Sequence, residues 1–187
     1  MIDNATDFED FFTTIFGDIN RSTLSSVNEN RIRFELGGEE VDSKRIAQAL
    51  DRSNQILQYC LHNLDVWLRI VLWSDKEEAF LEKAGLVIQS ANNIFRQKNN
   101  EEALYLYYDR FSKSIVKPVI TSIINYDIGE EPSANITCYF INFEKQIVIN
   151  IYDDRGMDIY STNKKIIERT SDKFYTWLIA PAGIPFI

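Results

Sequence analysis

The residues with most capacity for chemistry fall in one string, Tyr152-Asp153-Asp154-Arg155-Gly156-Met157-Asp158. Asp153, Asp154 and Asp158 lie close enough in sequence to share a hard cation such as Mg²⁺ or Ca²⁺, or to divide acid and base roles. Arg155 stands among them and competes for the same oxygens as an ion-pair partner. The spacing is not that of an EF-hand loop. The reading adopted is therefore structural. Asp153 accepts from the backbone of a tight turn, Gly156 supplies a positive φ, and Arg155 pairs with Asp153, Asp154 or Asp158 to hold the corner against the last helix. No metal and no cofactor are assigned, and a carboxylate or metal-dependent enzyme at Asp153–Asp158 is the alternative.

Other catalytic patterns are thin. Asp42-Ser43-Lys44 and Glu144-Lys145 resemble pieces of metal-dependent nuclease motifs, but neither has a paired upstream acid on a matching strand. His62 is the one histidine, which removes HExxH and His-rich metal sites. It lies at the end of a helical pattern and reads as a surface or capping residue. There is no Walker loop and no GxGxxG. Cys60 and Cys138 sit in apolar contexts and read as buried free thiols, which suits a reducing compartment.

The chain carries a net charge of −8 with a pI near 4.8. That balance disfavours nucleic acid, whose affinity rests on phosphate neutralisation, and suits a basic protein partner. Two acidic groups are the candidate contacts. Asp7, Glu9 and Asp10 lie on the outer face of the first helix. Asp127, Glu130 and Glu131 gather beyond the end of a later one, where negative charge opposes the helix dipole. The N-terminus lacks a basic and an apolar signal region, and apolar runs fall short of the ~20 residues a membrane span needs. A cytoplasmic protein with no membrane partner is expected.

These groups must be placed by a core drawn from a chain that is 45% hydrophobic and 13% aromatic. Phe8, Phe11, Phe12, Ile15 and Phe16 predict a helix over 6–16, with Thr6 and Glu9 as a capping box and Gly17 as its stop. Ile32, Phe34 and Leu36 alternate as a half-buried strand. A helix is expected from Asp42 or Ser43 to Asn63. Residues 64–73 are nearly all apolar, the mark of a strand buried on both faces near the sheet centre. A short helix follows over 74–84, ended by Gly85. Leu86-Val87-Ile88 looks strand-like, and 92–100 is too polar to assign. Residues 103–108 form a strand. Pro118 fits the first turn of a helix to Ile128, closed by Gly129. Residues 134–160 predict three antiparallel strands. Ser161 or Thr162 then caps a last helix that ends before Pro181, leaving an apolar tail over 182–187.

The fold class expected is α+β, in one domain spanning 1–187. A single twisted, largely antiparallel sheet carries helices mainly on one face, with a C-terminal three-strand meander followed by a helix. Residues 1–30 form an N-terminal helix and loop, and 134–179 hold the meander and last helix.

The string Ile151 to Ile159, with Asn163 and Trp177-Leu178 downstream, resembles the signature of a bacterial family catalogued as domain of unknown function 3885. Ile32 to Gly37, Asn125 to Gly129 and Phe140-Ile141-Asn142 resemble further runs of that family. The resemblance touches 31–179 in blocks and is firmest over 147–178. Small acidic members of the family resemble immunity proteins of bacterial toxin systems. The resemblance thus implies a protein that binds and neutralises a cognate toxin domain, and that is not an enzyme. A regulatory interaction module without a toxin is the other binding-class reading.

Overall fold

A computed structural model describes residues 2–19, 24, 29–98 and 102–179. Five helices and seven strands run α1 (Ala5–Phe16), β1 (Arg31–Glu35), α2 (Asp42–Leu61), β2 (Val66–Leu72), α3 (Glu77–Lys83), β3 (Asn93–Gln97), β4 (Glu102–Tyr108), α4 (Lys113–Tyr126), β5 (Ile136–Asn142), β6 (Ile147–Ile151), β7 (Gly156–Ser161) and α5 (Lys164–Lys173). The strands form one sheet in the order β1-β7-β6-β5-β2-β4-β3, with every pairing antiparallel. The expected α+β class holds, meander and following helix included.

Strand period decides the layers. Along β2, Val66, Leu68, Ile70 and Leu72 face one way and join a core built with α2, α3, α4 and α5. Trp67 faces the other way, into an aromatic cluster closed by Phe8, Phe12 and Phe16 of α1. Helices thus cover mainly one face, and α1 alone among them covers the other. All seven residues of β2 are buried, as its continuous apolar run requires.

Several local expectations are corrected. Asn4, not Thr6, caps α1, accepting from the Asp7 N–H at 3.0 Å. No side chain caps α2, which follows Val41. Residues 86–88 pair with no strand; a 3-10 turn occupies Ile88–Ser90. The polar stretch beyond it is the edge strand β3, where exposure on both faces is tolerated because one side pairs with β4. α4 begins after Ser112, so Pro118 lies within it and not in its first turn. Asn163 caps α5, which stops at Lys173. Phe34 then bridges Leu178, so the end of the described chain pairs along the outer edge of β1. Pro181 and the tail 182–187 lie outside the described residues.

Candidate functional site

The topology gathers one end of the sheet. β1 ends there, β7 begins there, β6 turns into β7, and α4 delivers the chain to β5. An open cleft of about 570 Å³ results, lined by Gly37, Gly38, Glu39, Glu40, Arg45, Asp127, Ile128, Asp154 and Arg155. The runs around Ile32–Gly37, Asn125–Gly129 and Tyr152–Asp158, far apart in sequence, meet at this cleft.

Each aspartate of the corner is held by arginine. Asp153 takes the Arg155 and Gly156 backbone N–H groups on Oδ1, at 2.7 and 3.1 Å. Its Oδ2 takes the Arg155 guanidinium, through Nε at 2.8 Å and also through Nη2. Asp154, only 3% exposed, accepts from Arg45 Nε of α2 at 2.6 Å. Asp158 is fully buried, with Arg31 Nη1 at 2.8 Å and both Nε and Nη2 of Arg33 at 2.9 Å. This bidentate pair raises the already high pKa of the Arg33 guanidinium, the Asp158 hydrogen bond being the chief cause. Arg33 also lies 5.2 Å from the centre of the Tyr152 ring. The string therefore fastens β1 and α2 to the meander. Three carboxylates removed from water are compensated by charge-assisted hydrogen bonds.

The expectation for Gly156 is corrected. Its backbone is not in the positive-φ region; the glycines there are Gly17, Gly85 and Gly129, all three being helix stops expected from sequence. Gly156 is needed for space, because a Cβ would meet the Tyr152 hydroxyl at 2.0 Å and the Phe34 carbonyl oxygen at 3.1 Å. Gly37 is tighter against backbone: a Cβ there would sit 2.7 Å from the Asp154 carbonyl oxygen and 2.5 Å from Arg45 Cγ. The anchoring expected for Arg155 is also corrected. It reaches Asp153 and, at 3.7 Å, Asp127 beyond α4, not the last helix. This contact accounts for Asp127 at a helix C-terminus, where a carboxylate alone is unfavourable.

Asp127, Asp153 and Asp154 each present an oxygen within 4.8 Å of the others. They are the described residues that could hold a divalent cation, in exchange for contacts now made by Arg155 and Arg45.

The two acidic groups expected to contact a partner are separated. α1 lies across one face of the sheet, while Asp127, Glu130 and Glu131 follow α4 from the other. On α1, Asp10 is exposed, and Asp7 folds back on the cap, accepting from Asn4 Nδ2 at 2.9 Å. Glu9 turns inward: it accepts from Arg69 Nε of β2 and from the Tyr105 hydroxyl, both at 2.7 Å. Glu9 thus docks α1, and the outer face keeps fewer acids than helical spacing implies. Asp127, Glu130 and Glu131 are exposed, as are Glu39 and Glu40 on the opposite lip of the cleft. Sequence reasoning missed Glu39, Glu40 and Arg45. The two glutamates follow a run already singled out, so they were within reach. Arg45 carries no local signal, since its partner lies 109 positions away.

No curated protein and no solved structure matches the chain. A family model matches residues 8–180, nearly the whole chain, and is described only as a domain of unknown function. The chain belongs to that family, DUF3885.

Proposed function

We propose that this protein is an immunity-type binding protein that occludes a basic surface of a cognate toxin domain, docking through the acidic rim of the cleft. One observation carries the reading. The carboxylates at the floor of the cleft are taken by Arg45 and Arg155, whereas Glu39 and Glu40 on its lip make no ion pair among the described residues. With Glu130 and Glu131 beyond α4 they leave uncompensated negative charge beside a concavity, and Asp127 is offset only by its 3.7 Å contact with Arg155. That arrangement speeds encounter with a cationic surface and orients it. A toxin that grips a polyanionic substrate presents such a surface.

The test is binding to the product of the neighbouring gene. Complex formation is expected, with an association rate that falls with ionic strength and falls at least tenfold in Glu39→Lys/Glu40→Lys. No complex with the neighbouring product, or a charge-reversed variant associating at the wild-type rate, would sink the reading.

A carboxylate enzyme at the corner is the second reading, favoured by the approach of Asp127, Asp153 and Asp154. It requires a cation to displace Arg155, and so predicts a rise in thermal stability on adding Mg²⁺ or Ca²⁺. The proposal here expects none.

A further inference from the structure

Among the described residues four carboxylates are buried: Glu77, Asp153, Asp154 and Asp158. In three of them the fold supplies donors to both oxygens. Glu77 accepts from the Ser74 hydroxyl on Oε1 and from the Asn135 N–H on Oε2, each at 2.8 Å. Asp153 accepts turn amides on Oδ1 and Arg155 on Oδ2, and Asp158 accepts arginine on both. Asp154 is the exception. Arg45 donates to its Oδ2, and no donor among the described residues reaches Oδ1. That oxygen is not sealed in the core, and the surface its residue lines is the cleft. A buried carboxylate oxygen without a donor is costly, so this one is completed from the cleft side. The surroundings suit a cation. Asp127 brings a carboxylate oxygen within 4.8 Å of one of Asp154's, and its contact with the exposed Arg155 side chain is long, at 3.7 Å. Gly37 and Gly38 line the same cleft with no side chain to fill it.

We propose that the cleft seats a single lysine side chain protruding from the protein partner, its ammonium donating to Asp154 Oδ1 at the floor and to Asp127 at the side. The inference rests on the immunity-type reading above and sharpens it from a charged rim to one anchoring contact. A guanidinium is matched to both oxygens of one carboxylate, and Arg45 already occupies Oδ2; a compact ammonium with three donors can meet single oxygens of two carboxylates. A divalent cation would need more oxygens at short range, and both oxygens of Asp153 are committed to Arg155 and the turn. The incoming ammonium takes Asp127 from Arg155, whose bonds to Asp153 remain. Rim charge governs the rate of encounter, whereas a desolvated pair at the floor governs the rate of escape.

Two experiments test the seat. In the first, the full chain binds the product of the neighbouring gene and the rates are read by surface plasmon resonance. Asp154→Asn and Asp127→Asn are each expected to speed dissociation by at least about tenfold with a smaller change in association, the reverse of the charge reversal at Glu39 and Glu40. Asp172→Asn, exposed on α5, should leave both rates unchanged. Wild-type dissociation in Asp154→Asn, beside slowed association in Glu39→Lys/Glu40→Lys, overturns the seat and leaves the binding reading standing. The second experiment needs no partner. N-acetyl-lysine methylamide, its arginine counterpart and its uncharged norleucine counterpart are titrated into the full chain at fixed ionic strength, followed by amide chemical shifts. The lysine compound is expected to move Gly37, Gly38, Asp127 and Asp154 with a Kd below about 30 mM, the arginine compound to bind more weakly, and the norleucine compound to move none of them. Asp154→Asn should abolish that response. Equal shifts from the lysine and norleucine compounds, or none from either, overturn the seat whether or not a complex forms. Tighter binding of the arginine compound, or of Mg²⁺ at the same amides, overturns its ligand.

Discussion

Replacing Arg45 with methionine keeps most of its apolar stem and removes the guanidinium that meets Asp154. The carboxylate left behind is 3% exposed, and its 2.6 Å bond to Nε is lost. Stripping one partner from a fully buried pair costs about 3–5 kcal/mol. Arg45 itself is 26% exposed, so water can reach part of the vacated space, and the expected loss is nearer 2–3 kcal/mol by the same reasoning. Asp154→Asn keeps the shape and leaves Arg45 its 2.8 Å contact with Asp42, so it should cost about 1 kcal/mol. In the double variant neither charge is stranded, and the two losses should fall short of additivity by about 1–2 kcal/mol. Urea unfolding followed by tryptophan fluorescence measures all four corners of the cycle, with the m-value checking that the transition stays two-state. A loss below about 0.5 kcal/mol for Arg45→Met, the range of an ordinary surface change, would refute the argument. So would strict additivity. Either result would mean that Asp154 is not committed to holding the fold, and would return it to the list of groups free for chemistry.

Gly37→Ala should destabilise more than Gly156→Ala, by about 3 against about 1–2 kcal/mol in urea unfolding, because the new methyl meets backbone at Gly37 but chiefly the end of a half-exposed tyrosine at Gly156. Tyr152→Ala in the Gly156→Ala background should recover part of the second loss and none of the first. Burial pushes the Cys60 thiol up to about 12, against a hydrogen bond with Thr170 that lowers it, and raises Cys138 as well. Cys138, fully buried, should therefore resist Ellman's reagent until the chain unfolds, while Cys60, only half-buried and so not the buried thiol expected from sequence, should react slowly in the native state. Burial also pushes Tyr152 up to about 12 and raises Tyr105. The folded chain keeps protons there that unfolded tyrosines lose near pH ~10, so this stability is complete below that pH and falls as pH rises through it. Urea midpoints across alkaline pH, read beside tyrosinate absorbance, should show that fall; a flat profile contradicts it.

The elements were legible wherever one period dominated. The five phenylalanine and isoleucine positions of α1, the alternation of β1 and the unbroken apolar run of β2 each carry their own answer, because burial of one face or two is written in residue spacing. Legibility failed where pairing overrode composition. β3 is polar and short, and is a strand because β4 offers it a hydrogen-bonded edge. Pro118 reads as a helix start, yet Ser112 begins α4 earlier.

The corner shows the same division. Sequence alone determined that Asp153 would bind its own turn, that Arg155 would sit among the acids, and that Gly156 was required. These are contacts within a few residues, and local geometry fixes them. It could not determine that Gly156 makes room for a tyrosine, that Asp154 belongs to Arg45, or that Glu9 faces Arg69 inside. Those partners are brought together by sheet register and by the antiparallel packing of α2 on α4. The choice among arginines for a buried carboxylate is made by which one the fold places within hydrogen-bonding reach, and that distance does not exist until the strands are paired.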